Sequence, residues 1–152
     1  MTDTDSAMRT EKVLETLGEA LSLQARSLVT MTVLAGALRG LDGMGAKFRL
    51  RQFVQAELED TYLLTEKFVA LGGTPRVDTG TVAPSGDPEK ALRDFVAAEQ
   101  EVLAALHAVI PHSGQEPHSE ALEHLLEHVI MRKQQQIDFL WHALDEDAEP
   151  YT

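Results

Sequence analysis

Residues 57–75 of this 152-residue chain read ELEDTYLLTEKFVALGGTP, and this stretch is predicted to contain the end of a helix. Apolar side chains recur at helical spacing up to Leu71, and the Gly-Gly-Thr-Pro run that follows stops the pattern. Residues 76–86 show no helical periodicity, and Asp-Pro-Glu at 87–89 then supplies the capping acid and first-turn proline of a new helix. The stretch therefore predicts two helices separated by a long connection.

Helical periodicity fills four segments, at about residues 8–39, 44–71, 88–110 and 117–144, and no segment has a strand pattern. Short turns join the first helix to the second and the third to the fourth, so each pair is predicted to form an antiparallel hairpin. The long middle connection can extend to roughly 50 Å, whereas a 28-residue helix is roughly 42 Å long. The sequence therefore predicts one all-α domain, an up-down-down-up four-helix bundle with one long crossover between helices two and three.

The chain is acidic and contains no cysteine: 13 Lys and Arg oppose 25 Asp and Glu, and the net charge is −12. Nucleic-acid binding relies on clustered basic residues, and no basic block is present. Disulfides, thiolate metal sites and thiol catalysis are excluded. No apolar run is long enough to cross a bilayer, and residues 1–6 lack a signal-peptide pattern. We expect a cytoplasmic protein with neither a nucleic-acid nor a membrane partner.

Each predicted helix has an apolar stripe that one polar residue interrupts. The interruptions are Gln24, Glu57, Glu99 and Lys133, one in each helix in chain order. At 1.5 Å of rise per residue, all four lie roughly 22–28 Å from the turn of their hairpin, near the middle of the bundle. The sequence therefore predicts one buried polar layer.

A carboxylate removed from water needs a cationic partner. Lys133 is the cation that the sequence offers to Glu57 and Glu99, so we favour an internal cluster of salt bridges and hydrogen bonds without metal. Two alternatives stay open. Glu57, Asp60 and Glu99 could form a modified metal site, or the polar side chains could reach solvent and form no layer.

Three stretches of the chain resemble bacterioferritin, a member of the ferritin-like superfamily. They are residues 57–75, the segment from Asp87 to Glu99, and the run IDFLWHAL that begins at Ile137. The ALGG sequence at 70–73 is also similar to the Dps miniferritins. The resemblance implies a ferritin-like four-helix bundle, a function in iron oxidation and storage, and iron as the one candidate cofactor.

Position by position, the resemblance implies a degenerate diiron site. The family's first-helix glutamate falls on Gln24, and its second-helix Glu-x-x-His falls on Glu57 and Asp60, so that the histidine is lost. The third-helix glutamate is kept as Glu99. Of the ligands on these three helices, Glu57 and Glu99 survive, with Asp60 as a third candidate.

The fourth-helix Glu-x-x-His falls on Lys133 and Gln136, so both ligands are lost there and Gln136 joins the polar layer. An ammonium removes a ligand and also repels iron. The haem methionine of bacterioferritin falls on Leu58, and the Dps metal-site aspartate falls on Tyr62, so neither haem nor a Dps site is implied. We expect an iron-homeostasis type of protein without ferroxidase activity and assign no catalytic residue. The alternative is a metal-free structural or binding homo-oligomer.

Two features lie outside the polar layer. Helices one and two carry a second apolar set, which consists of Leu23, Val29, Val33, Tyr62 and Leu63. Helices that are apolar on two sides usually cover two partners, so the set predicts a homodimer or larger homo-oligomer through these helices; scattered surface residues are the alternative. The string HLLEH at 124–128 matches a zinc-peptidase motif, but it faces away from the core stripe, which favours a solvated pair over a hydrolase site.

Overall fold

A computed structural model of the chain describes residues 8–114 and 117–144. They form four α-helices and one short 3-10 helix: α1 (Thr10–Ala37), α2 (Leu41–Ala70), α3 (Pro88–His107), the 3-10 helix (Ile110–His112) and α4 (Pro117–Leu144). No strand is present in this described part, which confirms the all-α prediction. None of the described helices has the length and apolar character that crossing a membrane requires.

The helix bounds depart from the expected ones at two places. Helix α2 begins at Leu41 rather than near residue 44, because Gly40 takes a φ of 79° and turns the chain directly after α1. Helix α3 ends at His107 rather than near residue 110. Pro111 cannot continue an α-helix, since its ring would clash with the carbonyl group four residues earlier, and the chain tightens into the 3-10 turn instead.

Two apolar clusters fill the bundle, one toward each end. The first joins the beginnings of α1 and α4 to the ends of α2 and α3, and the second joins the opposite ends of the same helices. Helices α1 and α4 therefore run in one direction and α2 and α3 in the other. This arrangement confirms the up-down-down-up bundle with its crossover between α2 and α3.

The crossover is attached to the outer side of α1. The guanidinium of Arg26 donates hydrogen bonds to the backbone carbonyls of Thr79 and Thr81. Between them, Gly80 adopts a φ of 61°, and a Cβ added there would lie 2.7 Å from Nη1 of Arg26. The backbone N–H of Asp78 donates to the hydroxyl group of Ser22. These contacts hold a segment without regular structure against the bundle.

Candidate functional site

A layer of polar side chains separates the two apolar clusters. Its members expose 4 % of their surface or less, and they are Gln24, Ser27, Glu57, Asp60, Glu99, Lys133 and Gln136. They come from all four helices. They lie near the middle of each helix, on the face of the apolar stripe, at the point where a polar residue interrupts that stripe.

The ammonium of Lys133 lies at the centre of this layer. Its Nζ atom donates to Oγ of Ser27 at 3.1 Å, to Oε1 of Glu57 at 3.0 Å and to Oε2 of Glu99 at 2.9 Å. A lysine ammonium has three N–H donors, so these acceptors satisfy all of them. Burial alone would lower the pKa of Lys133, but attraction to Glu99 and Glu57 and the hydrogen bonds that its ammonium donates to both raise that pKa above its ordinary value. Lys133 is therefore a charged, fully paired cation.

Both carboxylates have a second partner on α1. Nε2 of Gln24 donates to Oε2 of Glu57, and it also lies 3.1 Å from Oγ1 of Thr61. The hydroxyl group of Ser27 donates to Oε1 of Glu99. Each oxygen of the two carboxylates therefore accepts a hydrogen bond, which is the condition under which a buried charge is tolerated. We call Gln24, Ser27, Glu57, Glu99 and Lys133 the lysine cluster.

A second ion pair lies beside the lysine cluster. Nε of Arg132 is 2.9 Å from Oδ2 of Asp60, which is buried, whereas the arginine side chain is 34 % exposed. The contact is an ion pair without hydrogen-bond alignment, because neither oxygen of Asp60 accepts a hydrogen bond within the described residues. Burial raises the pKa of Asp60, Arg132 opposes this, and the charge of Glu57 adds to it. On the outer side, Nη2 of Arg132 lies 2.6 Å from Nε2 of His128.

Gln136 is buried one turn beyond Lys133 but does not join the lysine cluster. Among the residues that the structure describes, neither its amide nitrogen nor its oxygen has a hydrogen-bond partner, and the same is true of Oε1 of Gln24. Each unsatisfied buried polar group costs about 1–3 kcal/mol. The layer is therefore well paired around Lys133 and poorly paired at the two glutamines.

The lysine cluster fits charge neutralisation better than metal binding. Within residues 8–114 and 117–144, no group of three His, Cys, Asp or Glu side chains is arranged to hold a metal ion. The Lys133 ammonium lies between Glu57 and Glu99 and bonds to both, and a cationic donor cannot act as a ligand. Metal binding by Glu57, Asp60 and Glu99 stays a prediction.

Three members of the layer and its border were not foreseen from the sequence. Ser27 follows Gln24 by three residues on the same helical face, so helical spacing could have indicated it. Thr61 lies one turn after Glu57 and accepts from Gln24. Arg132 precedes Lys133 directly, and only the geometry shows that it turns toward Asp60.

The remaining candidate surfaces lie outside the bundle core. Val29, Val33 and Tyr62 are exposed by 38 %, 40 % and 59 %. The other two members of that apolar set, Leu23 and Leu63, are half-buried. The zinc-peptidase string is on the surface: the side chain of His124 is 80 % exposed, and its Nδ1 lies 3.9 Å from Oε2 of Glu127.

Comparison with known proteins gives a family and a set of similar folds. Residues 14–148 match the family model of the ferritin-like domain. Among curated proteins, none matches the chain. The family match spans both hairpins and the lysine cluster.

Three solved structures with similar folds illustrate the range of relatives. A ferritin-like diiron-carboxylate protein from Bacillus anthracis is 20% identical, with a TM-score of 0.80, covering 90% of this chain and 97% of that one. The bacterioferritin-related protein from Bacteroides fragilis, described as a dodecameric thioferritin, is 14% identical, with a TM-score of 0.79 over 90% and 86% of the two chains. A mutant of Mycobacterium smegmatis Dps1 is 14% identical, with a TM-score of 0.75 over 95% and 100%. At these identities the likeness shows the fold.

Proposed function

This chain belongs to the ferritin-like domain family, and we propose that it is a member without ferroxidase activity, in which the ammonium of Lys133 replaces the metal of the diiron site. The bundle would then fold and persist without iron. Its place in iron homeostasis, and its cytoplasmic location, are part of the same proposal and rest on the family and on the composition of the chain.

The observation that carries the proposal is the set of three hydrogen bonds from Lys133. Two of the acceptors, Glu57 and Glu99, stand at positions where the resemblance to bacterioferritin implies metal ligands that this chain retains. A divalent cation between these carboxylates would have to displace the ammonium or lie beside it, and like charges repel strongly in a low-dielectric interior. The hydrogen-bonded lysine thus competes with metal for the same oxygens.

Assembly into a homo-oligomer through α1 and α2 is the second part of the proposal. The exposed apolar side chains Val29, Val33 and Tyr62 support it, because a two-fold axis would pair this face with itself. The description of the Bacteroides fragilis relative as dodecameric is a further support. A metal-free bundle with such a face would act as a structural or binding homo-oligomer, which is the alternative function.

A second candidate function is cation binding at Glu57, Asp60 and Glu99. One observation favours it: neither oxygen of Asp60 accepts a hydrogen bond in the described part of the chain. Among the described residues, the three carboxylates of the layer pair with two cations, Lys133 within it and Arg132 at its border. A bound cation would supply the missing charge.

Metal analysis of the purified protein, together with a ferrous oxidation assay, tests the proposal. We expect no stoichiometric iron, no catalysed oxidation, and an unfolding midpoint that a chelator does not change. About two irons per chain with rapid oxidation would overturn the proposal. Fewer than two irons per chain, together with an unfolding midpoint that rises when iron is added, would favour the cation site. No measurable iron binding even in excess ferrous iron would favour the scaffold function over a function in iron homeostasis.

The variant Lys133→Glu tests the role of the ammonium directly. It removes the competing cation and adds a carboxylate at a family ligand position, so we expect iron affinity to rise. The matched control is Lys12→Glu, which makes the same change of two charge units at an exposed position of α1. Equal iron binding by both variants would show that the gain comes from surface charge alone. Unfolding of Lys133→Glu in the absence of metal, with refolding when iron is added, would also support the proposal.

A further inference from the structure

A cleft lies between α1 and α3, and the crossover forms its third wall. The main part has a volume of about 280 Å³ and is bounded by residues 81–85 of the crossover. A narrower recess of about 70 Å³ continues toward the bundle core and reaches Ser27 and Glu99 of the lysine cluster. The two parts adjoin, and the residues that line both are Arg26, Thr30, Phe95 and Ala98. The exposed apolar side chains of the proposed homo-oligomer face do not line this cleft.

The main part of the cleft is a slot, because one row of side chains from each helix lines it. On α1, Arg26 and Leu34 lie two turns apart on the side that faces α3. On α3, Ala91 and Ala98 lie one turn before and one turn after Phe95, and these small residues leave space on both sides of its ring. The helices are antiparallel, so Ala98 lies at the end marked by Arg26, and Ala91 lies at the other. An interval of eight residues rises about 12 Å, which sets the length of the slot.

The two ends of the slot differ in polarity. Leu34, Ala91 and Phe95 are buried and give one end an apolar floor. At the opposite end, the exposed guanidinium of Arg26 donates to two backbone carbonyls of the crossover. These bonds use two of the five N–H donors of a guanidinium, and neutral carbonyl groups do not cancel its charge. A ligand in the slot would therefore meet an apolar surface at one end and a cation at the other.

Within the described residues, the acidic groups near the slot leave the charge of Arg26 unpaired. Asp94 binds Lys90 at 2.7 Å, and both side chains are exposed. Both oxygens of Glu99, at the bottom of the recess, accept hydrogen bonds within the lysine cluster. Glu101 lies at the edge of the recess and is exposed, so salt screens its charge. The guanidinium is therefore available to an anionic group of a ligand.

We propose that the slot binds a small amphipathic monocarboxylate, with its carboxylate at Arg26 and its apolar part along Leu34 and Phe95. A guanidinium presents its N–H groups in a plane that matches the two oxygens of a carboxylate. Burial of the apolar part supplies the rest of the affinity, as in small-molecule sites that combine an apolar lining with a few polar groups. The site requires neither iron nor its absence, so it goes beyond the proposed function and is tested separately.

Octanoate serves as the probe, and its binding to the full chain is measured by NMR of ¹³C-labelled leucine methyl groups. We expect saturable shifts at Leu34, in the slot, and none at Leu71, which packs at the opposite end of the bundle. Octylammonium has the same chain but the opposite charge, and we expect it to bind at this site about fivefold more weakly, the effect of one exposed charge pair. No shift at Leu34, or equal affinity for the two probes, would overturn the proposal.

Two neighbouring alanines of α3 give a matched pair of variants that test the position of the site. Ala98 lines both parts of the cleft, whereas Ala97 is exposed outside it. Ala98→Leu should fill the slot and weaken octanoate binding at least about tenfold, or about 1.4 kcal/mol. Ala97→Leu makes the same change of size at an exposed position and should leave the affinity unchanged. An unchanged affinity in Ala98→Leu, or an equal loss in both variants, would place octanoate elsewhere and contradict the proposal.

The variant Arg26→Gln tests the recognition of the carboxylate. It removes the cation, so it should weaken octanoate binding about fivefold and abolish the preference for octanoate over octylammonium. The control Ser22→Ala loosens the crossover without a change of charge, because it removes the hydroxyl group that accepts from the backbone N–H of Asp78. This control should keep the preference. A preference that survives in Arg26→Gln, or one that is lost in Ser22→Ala, would show that the guanidinium does not select the ligand and would overturn the proposal.

Discussion

The Nζ atom of Lys133 on α4 lies 2.9 Å from Oε2 of Glu99 on α3, and the two side chains expose 0 % and 1 % of their surface. A buried ion pair of this kind is not in itself evidence of high stability, because removing both charges from water costs about as much as their attraction returns. The pair affects stability most clearly when one of its partners is removed. Glu99 and Glu57 depend on the same ammonium, so the loss of Lys133 leaves two buried anions.

We expect Lys133→Met to destabilise the protein by about 3–5 kcal/mol, the range found when one partner of a buried ion pair is removed. Urea unfolding followed by circular dichroism measures the change. The control Lys12→Met removes an exposed lysine that pairs with the exposed Glu15 one turn along α1, and it should cost less than about 1 kcal/mol. A similar loss in both variants would show that Lys133 is not the central cation of the layer.

Neutralising the carboxylates should reverse part of that loss. In the triple variant Lys133→Met, Glu57→Gln, Glu99→Gln, no charge of the lysine cluster remains, and the amides can still accept from Gln24 and Ser27. We expect its free energy of unfolding to be about 1–3 kcal/mol higher than that of Lys133→Met, because no buried anion is left without a cation, although each glutamine adds two buried N–H donors. A triple variant as unstable as Lys133→Met would mean that packing, not charge, explains the single variant.

The polar layer was predictable because a polar residue inside an apolar stripe is a strong periodic signal. Gln24, Glu57, Glu99 and Lys133 fell at one level in four independent helices, and that coincidence depends only on helix geometry. The crossover was predictable for a similar reason, since Gly-Gly-Thr-Pro and Asp-Pro-Glu mark its two ends. These features need no knowledge of side-chain rotamers.

The parts that the sequence did not reveal depend on side-chain direction. On α1 the polar Ser27 is buried, whereas the apolar Leu28 beside it is half-buried. Periodicity locates a helical face only to within about one residue. The pairing of Arg132 with Asp60 depends on which way a long flexible side chain turns, and no spacing rule determines that. Within the described residues Gln136 also has no hydrogen-bond partner, and no sequence pattern indicated this.

The stability of the protein should fall at alkaline pH as Lys133 loses its proton. Attraction to Glu99 and Glu57 raises the pKa of Lys133 in the folded chain above its ordinary value of 10.5, so the folded state holds this proton more tightly than the unfolded state. The stabilising contribution is complete below about pH 10.5 and is lost as pH rises through the higher folded-state pKa. Urea unfolding across this range should show a steeper decline for wild type than for the triple variant, in which this group is absent. Parallel curves would contradict the assignment.

The charge of Arg132 should hold down the pKa of Asp60. Burial raises that pKa and Arg132 opposes the effect, so Arg132→Gln should raise it further, while Arg132→Lys should change it less. Carbon-detected NMR titration of the Asp60 carboxyl group measures both. The folded-state pKa of Asp60 lies above its ordinary value of 3.8. The free energy of unfolding should therefore fall as pH rises from the ordinary to the folded-state pKa, and Arg132→Gln should make this fall larger. An unchanged titration in Arg132→Gln would exclude a functional ion pair.

The apolar face on α1 should control self-association. Val33 is 40 % exposed, so Val33→Glu should leave the fold intact while placing a charge on the face. In a two-fold dimer both subunits carry the substitution, and the two glutamates lie near each other. Their like charges repel, and the apolar contact of Val33 is lost as well. We expect at least a tenfold weaker dimer, or about 1.4 kcal/mol, by sedimentation velocity. Met131→Glu, at a 54 % exposed position on α4, is the matched control and should not change the dimer. If Met131→Glu dissociates the protein and Val33→Glu does not, the interface is formed by α4, and the apolar residues of α1 are ordinary surface positions.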